Sequence, residues 1–312
     1  MHIKGASLAV KHRKFASDFC LLFVALVWGS TFLVVQHAVF FLPPLAFNAV
    51  RFAGAALLFG LVALLARKRR SLSRSGTRAL LLHGTLLGLF LFGGYAFQTI
   101  GLVYTTTTNA GFITGLSVVL VPFISLWLAK QRLQPPTWIA AALALAGLYF
   151  LAFNGGAVHL NEGDGYVLLC SFCFALHIAF TGKYAAIHNT VPLVTVQFAA
   201  VALAAAGSSF LFEPQLTGAA LREALAEPKV IVALLISICI STAFAYWAQT
   251  WCQQYTSASR VAVIFAMEPV FAAITGVTFA GETLGLWAVV GCLLILAGML
   301  VAELKWGRHA VQ

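Results

Sequence analysis

Ten apolar blocks run the length of the chain, at 17–36, 43–66, 78–101, 109–129, 136–154, 163–185, 191–212, 229–251, 258–279 and 285–304, with short polar joints between them. Each is close to the ~20 residues that a helix needs to cross a hydrocarbon core. No water is available there to take backbone N–H and C=O groups, and a helix is the structure that satisfies them within one segment. Composition leads the same way. Hydrophobic residues make up 61% of the 312 and charged residues 9%, against about 25% charged in a soluble domain. The expected fold is all-α and integral to the membrane, with ten transmembrane helices.

The first block follows a basic leader, Lys4, Lys11, Arg13 and Lys14, which superficially resembles the start of a secretory signal. The uncharged run from Phe19 to Val35 is too long for one, so the block is read as a retained span that starts from the cytoplasm. Ten spans put both ends of the chain, 1–16 and 305–312, on the cytoplasmic side of the inner membrane. The cations agree with the positive-inside bias. Sixteen of 19 fall on that side: four in the leader, six from Arg67 to Arg78, then Lys130, Arg132, Lys183, Arg260, Lys305 and Arg308. Arg222 and Lys229 lie opposite and Arg51 lies within a span, while six of the nine acids, Glu162, Asp164, Glu213, Glu223, Glu227 and Glu282, face away from the cytoplasm.

The net charge of +10 does not mark a nucleic-acid binder, since that needs a basic folded surface with base-stacking aromatics. All six cysteines fall inside apolar blocks, and the CxxC pair Cys170 and Cys173 has no second pair beside it. They are read as small hydrophobes, and neither a metal nor a cofactor is expected.

The chain also repeats itself. A shift of 151 positions superimposes Tyr95 on Tyr246, Gln98 on Gln249, Thr99 on Thr250, Tyr104 on Tyr255 and Thr105 on Thr256, and reaches Leu145-Ala146-Gly147 with Leu296-Ala297-Gly298. Upstream, a shift of 146 pairs Asp18 with Asp164, Val50 with Val196 and Phe52 with Phe198. Two units of five spans, 17–154 and 155–304, follow. An odd number of spans forces the second unit to enter the membrane upside down, the inverted-repeat arrangement in which a substrate site lies near mid-membrane between the halves.

Trp28-Gly29-Ser30-Thr31-Phe32, Arg51-Phe52, Glu268-Pro269-Val270-Phe271-Ala272-Ala273 running to Gly281-Glu282, and Leu296-Ala297-Gly298 occur in that order along the chain. Together with the doubled unit they resemble the EamA-type transporters of the drug/metabolite transporter superfamily. The resemblance implies a ten-helix inner-membrane carrier, often an exporter of amino acids, other metabolites or toxic compounds. The first unit departs from the pattern, with Ser117-Val118 where the second has Glu268-Pro269.

Ionisable groups inside a span are costly unless paired or hydrated, which makes them functional candidates. Arg51 suits a cavity cation for a carboxylate or phosphate, or a clamp on helix carbonyls, and Asn48 shares its face. Glu268, before Pro269, suits proton coupling or amine recognition, or an ion pair that fixes a helix bend. His177 titrates near neutral pH when exposed, and otherwise is an interior histidine. Tyr95 with Gln98, and Tyr246 with Gln249, would face one another across the pseudo-twofold axis or serve as interhelical glue. Trp28, Thr31, Asn109, Thr114 and Gln197, the last at the position equivalent to Arg51, complete the expected substrate-binding set.

No G-x-x-x-x-G-K-[ST] loop is present for direct ATP drive, and no H-E-x-x-H or G-x-S-x-G motif suggests an enzyme. The reading is a secondary transporter of a small organic solute in the bilayer, exporting amino acids or similar metabolites with a proton or counter-substrate. Uptake or exchange of organic or phosphorylated solutes, a lipid-handling membrane enzyme and a pore are the alternatives.

Overall fold

The computed structural model describes residues 2–65, 74–105, 107–129, 135–153, 156, 161–279 and 283–303. Gly281, Glu282, Lys130 and Arg132 lie outside them. Helices account for the architecture: α1 His2–Ala38, α2 Pro44–Leu65, α3 Arg74–Tyr104, α4 Thr107–Gly115, α5 Ser117–Ala129, α6 Pro135–Phe153, α7 Glu162–Ala185 and α8 Thr190–Phe212. The chain continues with α9 Gly218–Ala226, α10 Pro228–Ile236, a π-helical turn Ser237–Phe244, α11 Ala245–Cys252, α12 Ala258–Phe265, α13 Glu268–Phe279 and α14 Leu286–Glu303. Among the described residues nine stretches are long and apolar enough to cross a membrane, and a tenth, Leu286–Ala302, is apolar but shorter. The protein is a multi-pass, all-α membrane protein.

Three of the expected spans are not single regular helices. The block at 258–279 divides into α12 and α13 because Pro269, second residue of α13, has no N–H to continue a helix from behind; in a first turn that loss is harmless. The block at 109–129 divides into α4 and α5 at Leu116. In the block at 229–251 the helix widens into the π-helical turn, a form often found at functional positions.

Small residues let the long helices approach closely. A Cβ on Gly147 of α6 would come 2.6 Å from the Gly291 carbonyl oxygen of α14, and one on Gly29 of α1 would collide with the Glu268 carbonyl at the start of α13. Gly84 and Gly88 of α3 lie against Val196 and Ala200 of α8. Polar clusters close the two ends. At one, Arg260 of α12 donates twice to Asp18 of α1, at 3.0 and 2.6 Å. Beyond the C-terminal end of α1, Glu213 accepts from the Leu45 and Ala46 backbone N–H groups at 2.8 and 3.0 Å, capping α2.

His188, in the α7–α8 joint, meets His83 of α3 at 2.8 Å. Burial, then the nearby His83, lower the His188 pKa from its ordinary 6.5. The unfolded chain therefore binds this proton more readily than the folded one, and stability falls as pH drops below about 6.5. Between pH 7.5 and 5.5 the melting temperature of a His188→Gln protein is expected to fall less than that of the parent, as measured by thermal unfolding in detergent.

Candidate functional site

A cavity of about 80 Å³ opens between the helices, room for several waters or a small solute group. Trp28 and Thr31 reach it from α1, Arg51 from α2, Tyr95 and Gln98 from α3, Thr114 from α4 and Ser117 from α5. His177 and Phe174 reach it from α7, Tyr246 and Gln249 from α11, Phe265 from α12 and Glu268 from α13. Both helix breaks, at Leu116 and at Ala266–Met267, flank its wall. A broken helix exposes backbone polar groups, and at membrane depth such breaks are tolerated where they are buried in protein or face a cavity.

Arg51 is 2% exposed and held on several sides. Its Nε donates to Thr242 Oγ1 at 2.5 Å, and its Nη2 donates to Tyr95 Oη and Ser241 Oγ, both at 3.1 Å. The guanidinium carbon sits 4.4 Å from the centre of the Tyr95 ring, a cation–π contact. Ser241 and Thr242 belong to the π-helical turn, whose widened geometry brings both hydroxyls to one arginine. Tyr246 donates to the same Tyr95 hydroxyl at 2.9 Å. Trp28 Nε1 donates to the Ser241 carbonyl at 2.8 Å, which fixes the indole against Tyr246 and Phe265, with ring centres at 5.2 and 4.9 Å.

Glu268 supplies the carboxylate of the wall, and no hydrogen bond to it is formed among the described residues. His177 has its ring edge to Tyr246 at 5.6 Å and its Nε2 3.4 Å from Thr181 Oγ1. Gln98 donates to Thr114 at 3.3 Å, and Gln249 donates to Gln253 at 3.2 Å. Among the described residues no three His, Cys, Asp or Glu side chains cluster as a metal would need.

Ten of the thirteen expected site residues line this cavity, and Asn48, Asn109 and Gln197 do not. Asn48 turns to α3, donating to Thr99 Oγ1 at 3.0 Å. Asn109 lies at the end of the molecule, where its amide meets Asp164 at 3.4 Å within the cap of α7. Gln197 is fully buried, with its side chain beside His177 and its backbone carbonyl against Gly88. Sequence reasoning missed Phe265, Ser241 and Thr242. Ser117 was visible as the counterpart of Glu268 but was not taken as a wall residue.

The EamA-like transporter family profile matches residues 16–153 and again 161–303. The chain belongs to the EamA-like transporter family. Among relatives, an uncharacterized transporter of Archaeoglobus fulgidus is 36% identical over 306 residues, covering 97% of this chain and 90% of its own. The uncharacterized transporter YoaV of Bacillus subtilis is 22% identical over 293 residues, covering 92% of this chain and 97% of its own. A solved crystal structure with 20% sequence identity superimposes with a TM-score of 0.74 over 92% of this chain and 95% of its own, a likeness in fold. In this EamA-like transporter both matched stretches build the cavity. Arg51, Tyr95, Gln98 and Thr114 come from the first, and His177, Tyr246, Gln249 and Glu268 from the second.

Proposed function

We propose that this protein is a secondary carrier that moves a small organic metabolite such as an amino acid out of the cell, by rocking its two halves about the central cavity. No chemical step on the solute is involved. The observation that carries the reading is one cavity, walled by both matched stretches, that holds one cation and one carboxylate. Buried charges of both signs mark a substrate or ion pathway in a membrane protein. They also suit a zwitterion. The contacts of Arg51 to Tyr95, Ser241 and Thr242 use Nε and Nη2 and leave Nη1 without a partner among the described residues. Nη1 can meet a carboxylate while Glu268 meets an ammonium group.

The outward direction and the inner-membrane location, with both termini cytoplasmic, rest on the family resemblance and on the distribution of cations. Alternating access is supported by the two family matches on one chain and by the polar clusters at the two ends, which give each end something to break and re-form. The test is counterflow of labelled amino acids, amines and organic acids in liposomes containing the purified protein. Saturable exchange of one of them is expected. Conduction that never saturates would make the protein a pore, and a chemically altered solute would make it an enzyme.

A further inference from the structure

Gln249 lines the cavity from α11 and is 1% exposed. Its Nε2 donates to Gln253 Oε1 at 3.2 Å, and Gln253 Nε2 donates to the Ile178 carbonyl oxygen at 2.9 Å. The far end of this chain sets its sense. A backbone carbonyl only accepts, so Gln253 must turn its NH₂ to Ile178 and its oxygen to Gln249. Gln249 must then give its NH₂ to Gln253, which leaves its own oxygen pointing elsewhere. That oxygen is buried and has no hydrogen-bond partner among the described residues. Buried acceptors are nearly always met, so this one calls for a donor that the described protein does not supply.

Glu268 is a second unmet acceptor on the same wall. On the α2–α3 side the sense is reversed. The Tyr95 hydroxyl already accepts from Arg51 and from Tyr246, so both its lone pairs are used and its own O–H is left to donate. Donors on the cavity wall thus come from α2 and α3, and acceptors from α11 and α13, with the Gln249 oxygen buried within the wall.

We propose that Gln249 is a specificity-determining residue which, together with Glu268, selects a protonated primary amine. This deepens the carrier reading above and rests on it. An –NH₃⁺ group has three N–H donors: Glu268 takes one and balances the charge, and the locked oxygen of Gln249 takes another. A quaternary ammonium carries the charge but no N–H. A carboxylate without an amine sets oxygen against oxygen. Trp28 and Phe265 provide an apolar wall for an aromatic or aliphatic substituent.

Four probes separate these requirements: phenethylamine, L-phenylalanine, 3-phenylpropanoate and the N,N,N-trimethyl derivative of phenethylamine. Each is tested for thermal stabilisation of the purified protein and for exchange in proteoliposomes. The two primary amines are expected to bind, and the acid and the quaternary ion to bind at least about tenfold more weakly, the loss that follows removal of a hydrogen bond to a charged group. Gln249→Met, similar in volume but without the acceptor, is expected to bring the primary and quaternary amines to within about threefold of each other.

Gln253→Met gives a second reading that does not depend on Gln249 itself. It frees the Gln249 amide to turn, so preference for amine over acid should narrow while the protein stays folded. A residue that only packs would lower stability without relaxing selectivity. Equal binding of primary and quaternary amines by the parent, or unchanged selectivity in both variants, would overturn the assignment. Exchange of the acid but of neither amine would also overturn it while leaving the carrier intact. Failure of all four probes overturns the assignment, and failure of the wider amino-acid, amine and acid panel in counterflow overturns the carrier reading as well.

Discussion

Glu268→Gln is expected to reduce pH-driven net flux to background and to weaken amine binding, while the protein remains folded in the membrane. Glu268 faces the cavity and its carboxylate receives no hydrogen bond from the described residues. Arg51, the cation of the same wall, spends its Nε and Nη2 on Thr242, Tyr95 and Ser241. A carboxylate facing a cavity inside the membrane and without a close partner is neutralised either by a proton or by a bound cation. If these alternate at Glu268 during a cycle, proton movement is tied to solute movement. Gln is neutral throughout, so it can hold the volume and hydrogen-bond but cannot alternate. A purely structural Glu268 predicts the opposite pattern: Gln transports with normal pH dependence, and Glu268→Ala mainly lowers stability. Flux at two pH values with the parent and both variants decides between them. Retained pH dependence in the Gln protein would sink the coupling idea.

The helical membrane fold was legible because its cause is written locally. Each apolar block is long enough to need the bilayer, and glycines such as Gly84 and Gly88 sit where helices touch. Much of the cavity wall was legible for a related reason: an ionisable or polar side chain deep in a span has few places to be, and Arg51, Tyr95, Gln98, Tyr246, Gln249 and Glu268 all reach the cavity. Asn109 misled because a polar residue near a block's edge reads like one at its centre. Here it serves the α7 cap through Asp164.

The π-helical turn left no mark on the sequence. Ser237–Phe244 reads as ordinary apolar helix, and a wider turn changes which residues share a face, so Ser241 and Thr242 could not be assigned to Arg51 from spacing. The Asp18 salt bridge and the Asp164 cap of α7 show how much a single substitution changes. Asp18 and Asp164 correspond at one shift, and Arg260 and Asn109 at the other. One carboxylate meets a guanidinium at 2.6 Å; the other accepts from Thr105 at 2.6 Å, from the Asn161 N–H at 2.7 Å and from the Asn109 amide at 3.4 Å. An ion pair holds one site and neutral donors the other, so the two differ in salt sensitivity.

Arg51 is expected to be the most damaging position to change. Arg51 is 2% exposed, and removing its side chain leaves Thr242 Oγ1 and Ser241 Oγ without their donor and the Tyr95 hydroxyl with Tyr246 alone. A buried hydroxyl left without its partner costs about 1–3 kcal/mol, and together these losses are a large share of a typical protein's stability. Arg51→Ala should therefore give little folded protein. Arg51→Lys keeps the charge but not the planar fork, and a compact ammonium cannot serve the Thr242 and Tyr95 directions at once. It is expected to fold poorly as well. Separating the anchoring role from solute binding needs the other side of the contact. Ser241→Ala with Thr242→Val removes two acceptors and keeps the guanidinium, which is then held through Tyr95 and the Ser241 backbone carbonyl alone. If Arg51 meets a solute carboxylate through Nη1, this double variant should stay folded and lose affinity for amino acids about tenfold, while binding of amines without a carboxylate is unchanged. Equal losses for both solutes would leave Arg51 as an anchor of the π-helical turn and remove it from the binding site.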